Sequence, residues 1–156
     1  MEFREVAGRY TKIAERMDAR VSGCSSADWS ASTPCPDWTT RDILRHVIAV
    51  HRSTLALLDD HQSRHNDKED QEVAAAWTGV TALMRDALRD PVRATRLVTP
   101  RFGEMPFEDL VSRMVCSDTL VHTWDIARAT AQDERLDEHA VEVAWSWMER
   151  PPARVR

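Results

Sequence analysis

The stretch Ser117-Asp118-Thr119-Leu120-Val121-His122-Thr123-Trp124-Asp125 decides how this chain is read. It sets a carboxylate and an imidazole four residues apart within an amphipathic pattern. Residues at i and i+4 share a helical face, with Cβ atoms about 5–6 Å apart, near enough to ligate one ion. The face is the apolar one: Val111, Val115, Asp118, His122 and Ala129 follow the 3.6-residue period of a core-facing stripe. Burying a carboxylate and an imidazole without partners is costly, so something is expected to satisfy them. A metal is one candidate.

Outward from this helix the chain reads as further helices. Phe3, Val6, Tyr10, Ile13, Met17 and Val21 step by three or four and predict a helix over residues 2–21. Residues 22–38 carry Ser, Gly and two prolines and read as a long connection. Thr39 or Thr40 caps a second helix to about Asp60, its stripe Ile43, His46, Val47, Val50 and Leu57. The polar segment His61–Asp70 reads as a solvated loop. A third helix is expected from about Glu69 to Arg89, stopped by Pro91. Residues 92–105 read as a short hairpin or an extended link. Pro106 suits the first turn of a fourth helix, which carries the opening stretch to about Thr130. Asp137 caps a fifth, from 138 to about 149, before Pro151 and Pro152. The expected fold is all-α: a four-helix bundle with a long first connection and a short extra C-terminal helix. One domain over 1–150 and a tail at 151–156 follow.

Composition narrows the function. The 156 residues hold 26 acidic and 21 basic side chains, a formal charge of −5. With only two lysines and scattered arginines there is no basic patch for phosphate, which argues against nucleic acid as a partner. Cys24, Cys35 and Cys116 are irregularly spaced, neither a disulfide framework nor a thiolate zinc site. The first residues lack a signal-peptide core, and no apolar run approaches the roughly 20 residues of a membrane span. A soluble cytoplasmic protein with no membrane partner is expected.

A third polar residue, His46, falls on the apolar stripe of the second helix. Side chains facing inward from different helices of a bundle can meet, and His46, Asp118 and His122 would make a two-His, one-carboxylate set. Three protein ligands leave positions open for water or substrate, the mark of a catalytic site. A hydrogen-bonded buried triad without metal is the rival reading. His51, His61, His65 and His139 are read as surface residues.

Three blocks then resemble one family. Residues 33–47, Thr-Pro-Cys-Pro-Asp-Trp-Thr-Thr-Arg-Asp-Ile-Leu-Arg-His-Val, look like the signature TPCPGW-T-RDLL-HV. Phe102-Gly103-Glu104-Met105-Pro106 resembles FGEMP, and residues 118–130 resemble DLLVHGWDLARATGQ. In this order they are similar to the mycothiol-dependent maleylpyruvate isomerase-like group of the DinB-like superfamily. The resemblance implies a DinB-like bundle with His46, Asp118 and His122 as ligands of a divalent metal, zinc or nickel. It implies a partner thiol such as mycothiol or bacillithiol and an electrophilic substrate, in S-transfer or isomerisation. A metal-bound thiol has a lowered pKa and supplies thiolate at neutral pH. A non-catalytic metal-binding bundle, acting as a sensor or interaction module, is the alternative, because fold alone does not give activity. A homodimer is compatible with such bundles.

Other residues carry paired readings. Arg41 is the candidate for holding an anionic thiol or a substrate carboxylate, and Asp42 suits the helix N-terminus. Asp125 either orients a ligand histidine or pairs with an arginine such as Arg128. Cys35 is read as packing rather than reactive, Cys116 as core, and Trp38 and Trp124 as core rather than pocket. Ala131 and Thr123 stand where the family has Gly, and both changes are read as tolerable. Family members continue past Pro151–Arg156, so the tail is read as short or truncated.

Overall fold

The computed structural model describes residues 3–58 and 72–149. In chain order these form α1 (Phe3–Ser22), a 3-10 turn (Asp28–Ser30), α2 (Thr40–Ala56), α3 (Val73–Arg89), α4 (Pro91–Ala94), β1 (Leu97–Val98), β2 (Met105–Pro106), α5 (Phe107–Leu110), a π-helical turn (Val111–Val115), α6 (Cys116–Ala129) and α7 (Glu138–Met148). The fold is an all-α bundle. α1 packs on α3 and α6, and α2 packs on the same two. α1 and α2 thus occupy opposite corners, and the connection over residues 23–39 spans the end between them. α7 lies against α6.

Each helix exists because its apolar positions recur on one face. Val6, Tyr10, Ile13, Ala14 and Met17 of α1 are buried against Ile43, Leu44 and Val47 of α2 and Trp77, Val80 and Met84 of α3. α2 starts at a capping box: Thr39 Oγ1 accepts from Asp42 N–H, and the Asp42 carboxylate accepts from Thr39 N–H, a pair stabilising by about 1 kcal/mol. These bonds from Thr39 also hold the Asp42 carboxyl below its usual range. α2 ends at Ala56, short of the expected Asp60. α3 begins at Val73, because Glu72 is its extended N-cap; the expected start near Glu69, the polar loop and His61 and His65 fall outside the described residues. The 151–156 tail does too.

Residues 92–105 resolve into a turn of helix and a hairpin, Leu97 opposite Pro106 and Val98 opposite Met105. Gly103, at φ 107°, makes the turn that an L side chain resists. Pro106 is the N-cap rather than the first helical residue. The helix that follows is interrupted by a π turn, where Arg9 donates to Ser112 Oγ. A π turn takes up one extra residue, so the apolar stripe changes phase. Beyond it the buried residues are Cys116, Thr119, Leu120, Thr123, Asp125, Ile126 and Ala127. Asp118 and His122 lie at the rim of this face, a correction to the single stripe expected through Val111, Val115 and Ala129.

His51 is a second correction. It is fully buried rather than on the surface. Its Nδ1–H donates to Val47 O at 2.8 Å, so Nε2 accepts from Tyr10 Oη–H at 2.9 Å. Burial pushes the Tyr10 phenol above its ordinary range, which keeps it a donor. The ring of Trp77 meets His51 edge-on at 5.2 Å, and its Nε1–H donates to Asp18 at 2.6 Å. His51 therefore ties α1, α2 and α3 together.

α6 ends in a Schellman motif: Gln132 N–H donates to Ala127 O while Ala131 adopts φ 53°. Gln132 then donates to Arg20 O and closes the end of α1. Ala131 is strained there, so the family's Gly is a better fit than the sequence suggests.

Two outcomes follow. Ala131→Gly raises the unfolding free energy by about 0.5–1 kcal/mol, the relieved left-handed strain less the entropy of Gly, read as a higher urea midpoint at unchanged m-value. Burial pushes the His51 pKa down to about 4, only partly offset by the Val47 hydrogen bond and the Asp118 charge. Below about pH 6.5 the unfolded chain takes up a proton that folded His51 refuses. Its contribution is complete above pH 6.5 and is lost as pH falls toward 4, by up to about 1.4 kcal/mol per pH unit. His51→Gln removes that titration, so the stability gap between wild type and variant narrows over this window in pH-resolved urea melts; a constant gap contradicts it.

Candidate metal centre

The loop before α2 and one edge of α6 build the site. Thr33 Oγ1 donates to Trp38 O at 2.9 Å and accepts from Cys35 N–H at 3.2 Å, and Ser32 bridges Thr39. Asp37, at φ 66°, closes the turn where the signature has Gly. This folds Cys35 and Trp38 back toward α6. One turn and a half into α2, His46 faces the same edge.

There His46 Nε2 lies 2.9 Å from Asp118 Oδ1, and His122 Nε2 lies 3.4 Å from the same oxygen. Ligand atoms of all three fall within 4.8 Å of one another. The structure thus brings together the three positions singled out in the sequence, partly exposed at the bundle rim rather than in its centre. The imidazoles meet edge to face at 4.9 Å, and Trp38 stands 5.1 Å from His46 and 6.5 Å from His122.

Hydrogen bonding assigns the roles. His122 Nδ1–H donates to Asp125 Oδ2 at 2.8 Å, which settles Asp125 as the group that orients the histidine. Neutral His122 then turns the lone pair of Nε2 toward the Asp118 carboxylate, an arrangement that needs a positive charge between them. In its absence a proton serves. Burial opposes protonation of His122, but hydrogen bonds and charge from Asp118 and then Asp125 outweigh it and raise its pKa. Burial likewise opposes the Asp118 charge, while His122 and His46 lower its pKa overall. Asp118 Oδ2 is buried with no hydrogen-bond partner among the described residues, and such an orphan in a polar site calls for an absent partner. Two imidazole nitrogens and a carboxylate, with an unsatisfied oxygen, are a donor set that fits a divalent cation.

Trp38 and Trp124 sit differently from their sequence reading, while Cys35 packs on the core as expected and also meets Asp125. Trp38 is 38% exposed and borders the histidines instead of packing the core. Cys35 is half-buried, its Sγ–H donating to Asp125 Oδ2 at 3.5 Å; burial first, then the Asp125 charge, push its thiol pKa up. The available signal was position: both belong to the block that leads directly into the His46 helix. Trp124 is half-buried and carries Arg128 5.5 Å from its ring. Cys116 is core as expected, and burial pushes its thiol up to about 12. Arg41 lies 5.7 Å over the Trp29 ring at the start of α2. His139 is exposed.

Residues 10–127 match the family described as the mycothiol maleylpyruvate isomerase N-terminal domain. The chain belongs to that family. Two uncharacterized proteins of Mycobacterium tuberculosis, from strains CDC 1551 and H37Rv, are each 28% identical over 114 residues, covering 70% of this chain and 59% of theirs. The chain therefore spans under two thirds of the length of these relatives. No solved structure matches it. Among the described residues no helix is long and apolar enough to cross a membrane.

For this member of the mycothiol maleylpyruvate isomerase N-terminal domain family, Asp125→Asn replaces the charged acceptor that fixes the His122 tautomer with a neutral and weaker one. Affinity for zinc, measured by competition with a chromogenic chelator, falls about 10–100-fold, with helical content unchanged. Equal affinity would contradict an orienting role for Asp125.

Proposed function

We propose that His46, Asp118 and His122 hold a divalent metal, zinc or nickel, and that the site uses it to activate a low-molecular-weight thiol of the mycothiol kind. The observation that carries this reading is Asp118: one oxygen is shared between two imidazoles, and the other is buried without a partner among the described residues. A bound Lewis acid with open positions supplies thiolate at neutral pH. Around it the chain's residues bind and orient. Asp125 holds His122 in the tautomer that offers Nε2, and Trp38 walls one side of the approach. Arg41, in the first turn of α2, pairs with a carboxylate of the thiol or of the substrate. Thiolate supplied in this way would form a carbon–sulfur bond to an activated double bond or strained ring, the released electron pair taking a proton from solvent in S-transfer, or re-expelling the thiolate after bond rotation in isomerisation. No protein side chain serves as nucleophile.

Elemental mass spectrometry of the purified protein tests the metal. About one equivalent of zinc or nickel is expected in wild type and none in Asp118→Ala; an empty wild type that takes up no added metal would sink the reading. Arg41→Ala is expected to keep the metal and raise the KM for the thiol about tenfold or more, with kcat less affected.

A further inference from the structure

A second donor set lies on the other side of His122. Cys35, His122 and Asp125 also place ligand atoms within 4.8 Å of one another. Here the available ring nitrogen is Nδ1, 2.8 Å from Asp125 Oδ2, and Cys35 Sγ is 3.5 Å from that oxygen. We propose that these three residues form a second cation site, for a thiophilic ion such as zinc or cobalt, sharing the His122 imidazole with the first.

Geometry and charge support it. Ligand atoms around a tetrahedral zinc stand about 3.4–3.7 Å apart for bonds of about 2.0–2.3 Å. The Cys35–Asp125 separation already has this value, and the His122–Asp125 pair needs to open by about half an ångström. Cys35 sits on a loop, half-buried, where an ion can enter, while Asp125 is buried on α6. A thiolate beside imidazole and carboxylate favours a softer ion than the first set does. Binding replaces the Cys35 S–H and the His122 Nδ1–H with bonds to the ion, and both protons go to solvent. Two divalent ions are then balanced by Asp118, Asp125, the Cys35 thiolate and the His122 imidazolate. The first set requires no such loss, so it fills first. The second site does not depend on the thiol chemistry proposed above.

Cobalt(II) titration of the chelator-stripped protein tests it by absorption and by proton release in weak buffer. Wild type is expected to bind two ions, visible d–d bands growing with the first and a near-ultraviolet sulfur-to-cobalt band, with two protons released, with the second. Cys35→Ser keeps a hydrogen-bond donor for Asp125 and is expected to bind one ion without the sulfur band. Asp125→Asn is expected to lose the band as well. Asp118→Asn is expected to lose the first ion and keep the sulfur band, which separates failure of one site from failure of the other. Circular dichroism checks that each variant is folded. A wild type that binds one ion without a sulfur band overturns the second site, as does a band that survives in Cys35→Ser.

Discussion

The carboxylate of Asp118 holds the two halves of the site together. It is carried by α6 and meets His46 of α2 across the bundle edge, so its position depends on how those helices pack and in turn fixes where they meet. An anion shared by two imidazoles, one of which already gives its only N–H to Asp125, is left with a lone pair facing a negative oxygen. A cation resolves that conflict and also the orphaned Oδ2. The π turn before α6 matters for the same reason. It rotates the helix so that Thr119, Thr123 and Ile126 take the core while Asp118 and His122 reach the rim, where solvent and small molecules have access.

Much of this was legible in the sequence because it rests on local periodicity. The stripes of α1 and α3 follow a 3.6-residue repeat, Thr39 and Asp137 are side-chain caps, and the i, i+4 spacing of Asp118 and His122 is a property of any α-helix. The expected α2 stripe is out of phase, since the buried face runs through Ile43, Leu44, Val47, Ile48, His51 and Leu55 while Leu57 is exposed. What periodicity does not carry is long-range contact and irregular backbone. The π turn has no simple sequence mark, so the stripe was extended straight through it. His51 lies on the true α2 stripe, four residues after Val47 and three after Ile48, but its polar ring is satisfied there only by Tyr10 of another helix, 41 residues away. Trp38 and Cys35 lie in a stretch without regular structure, and only the closure of that loop on Thr33 and Thr39 brings them to the histidines.

The sequence resemblance and the helical spacing single out the same three positions by separate routes. The signature has Gly at two places where this chain has Asp37 and Ala131, and both adopt positive φ here. The Gly of the signature is thus a backbone requirement, and this chain meets it with strain. Asp37 tolerates the left-handed region better than Ala131 does, since Asp and Asn enter it several times more often than other non-Gly residues. Neither change touches the donor atoms, so the site's geometry survives in a chain that departs from the pattern around it.

The most direct measurement is X-ray absorption at the zinc edge with one zinc per chain. The account predicts nitrogen and oxygen neighbours at about 2.0–2.1 Å, outer-shell scattering from two imidazoles, and no sulfur. Fewer than two imidazoles, or a sulfur neighbour at about 2.3 Å, would contradict the assignment of His46, Asp118 and His122 as the primary ligands.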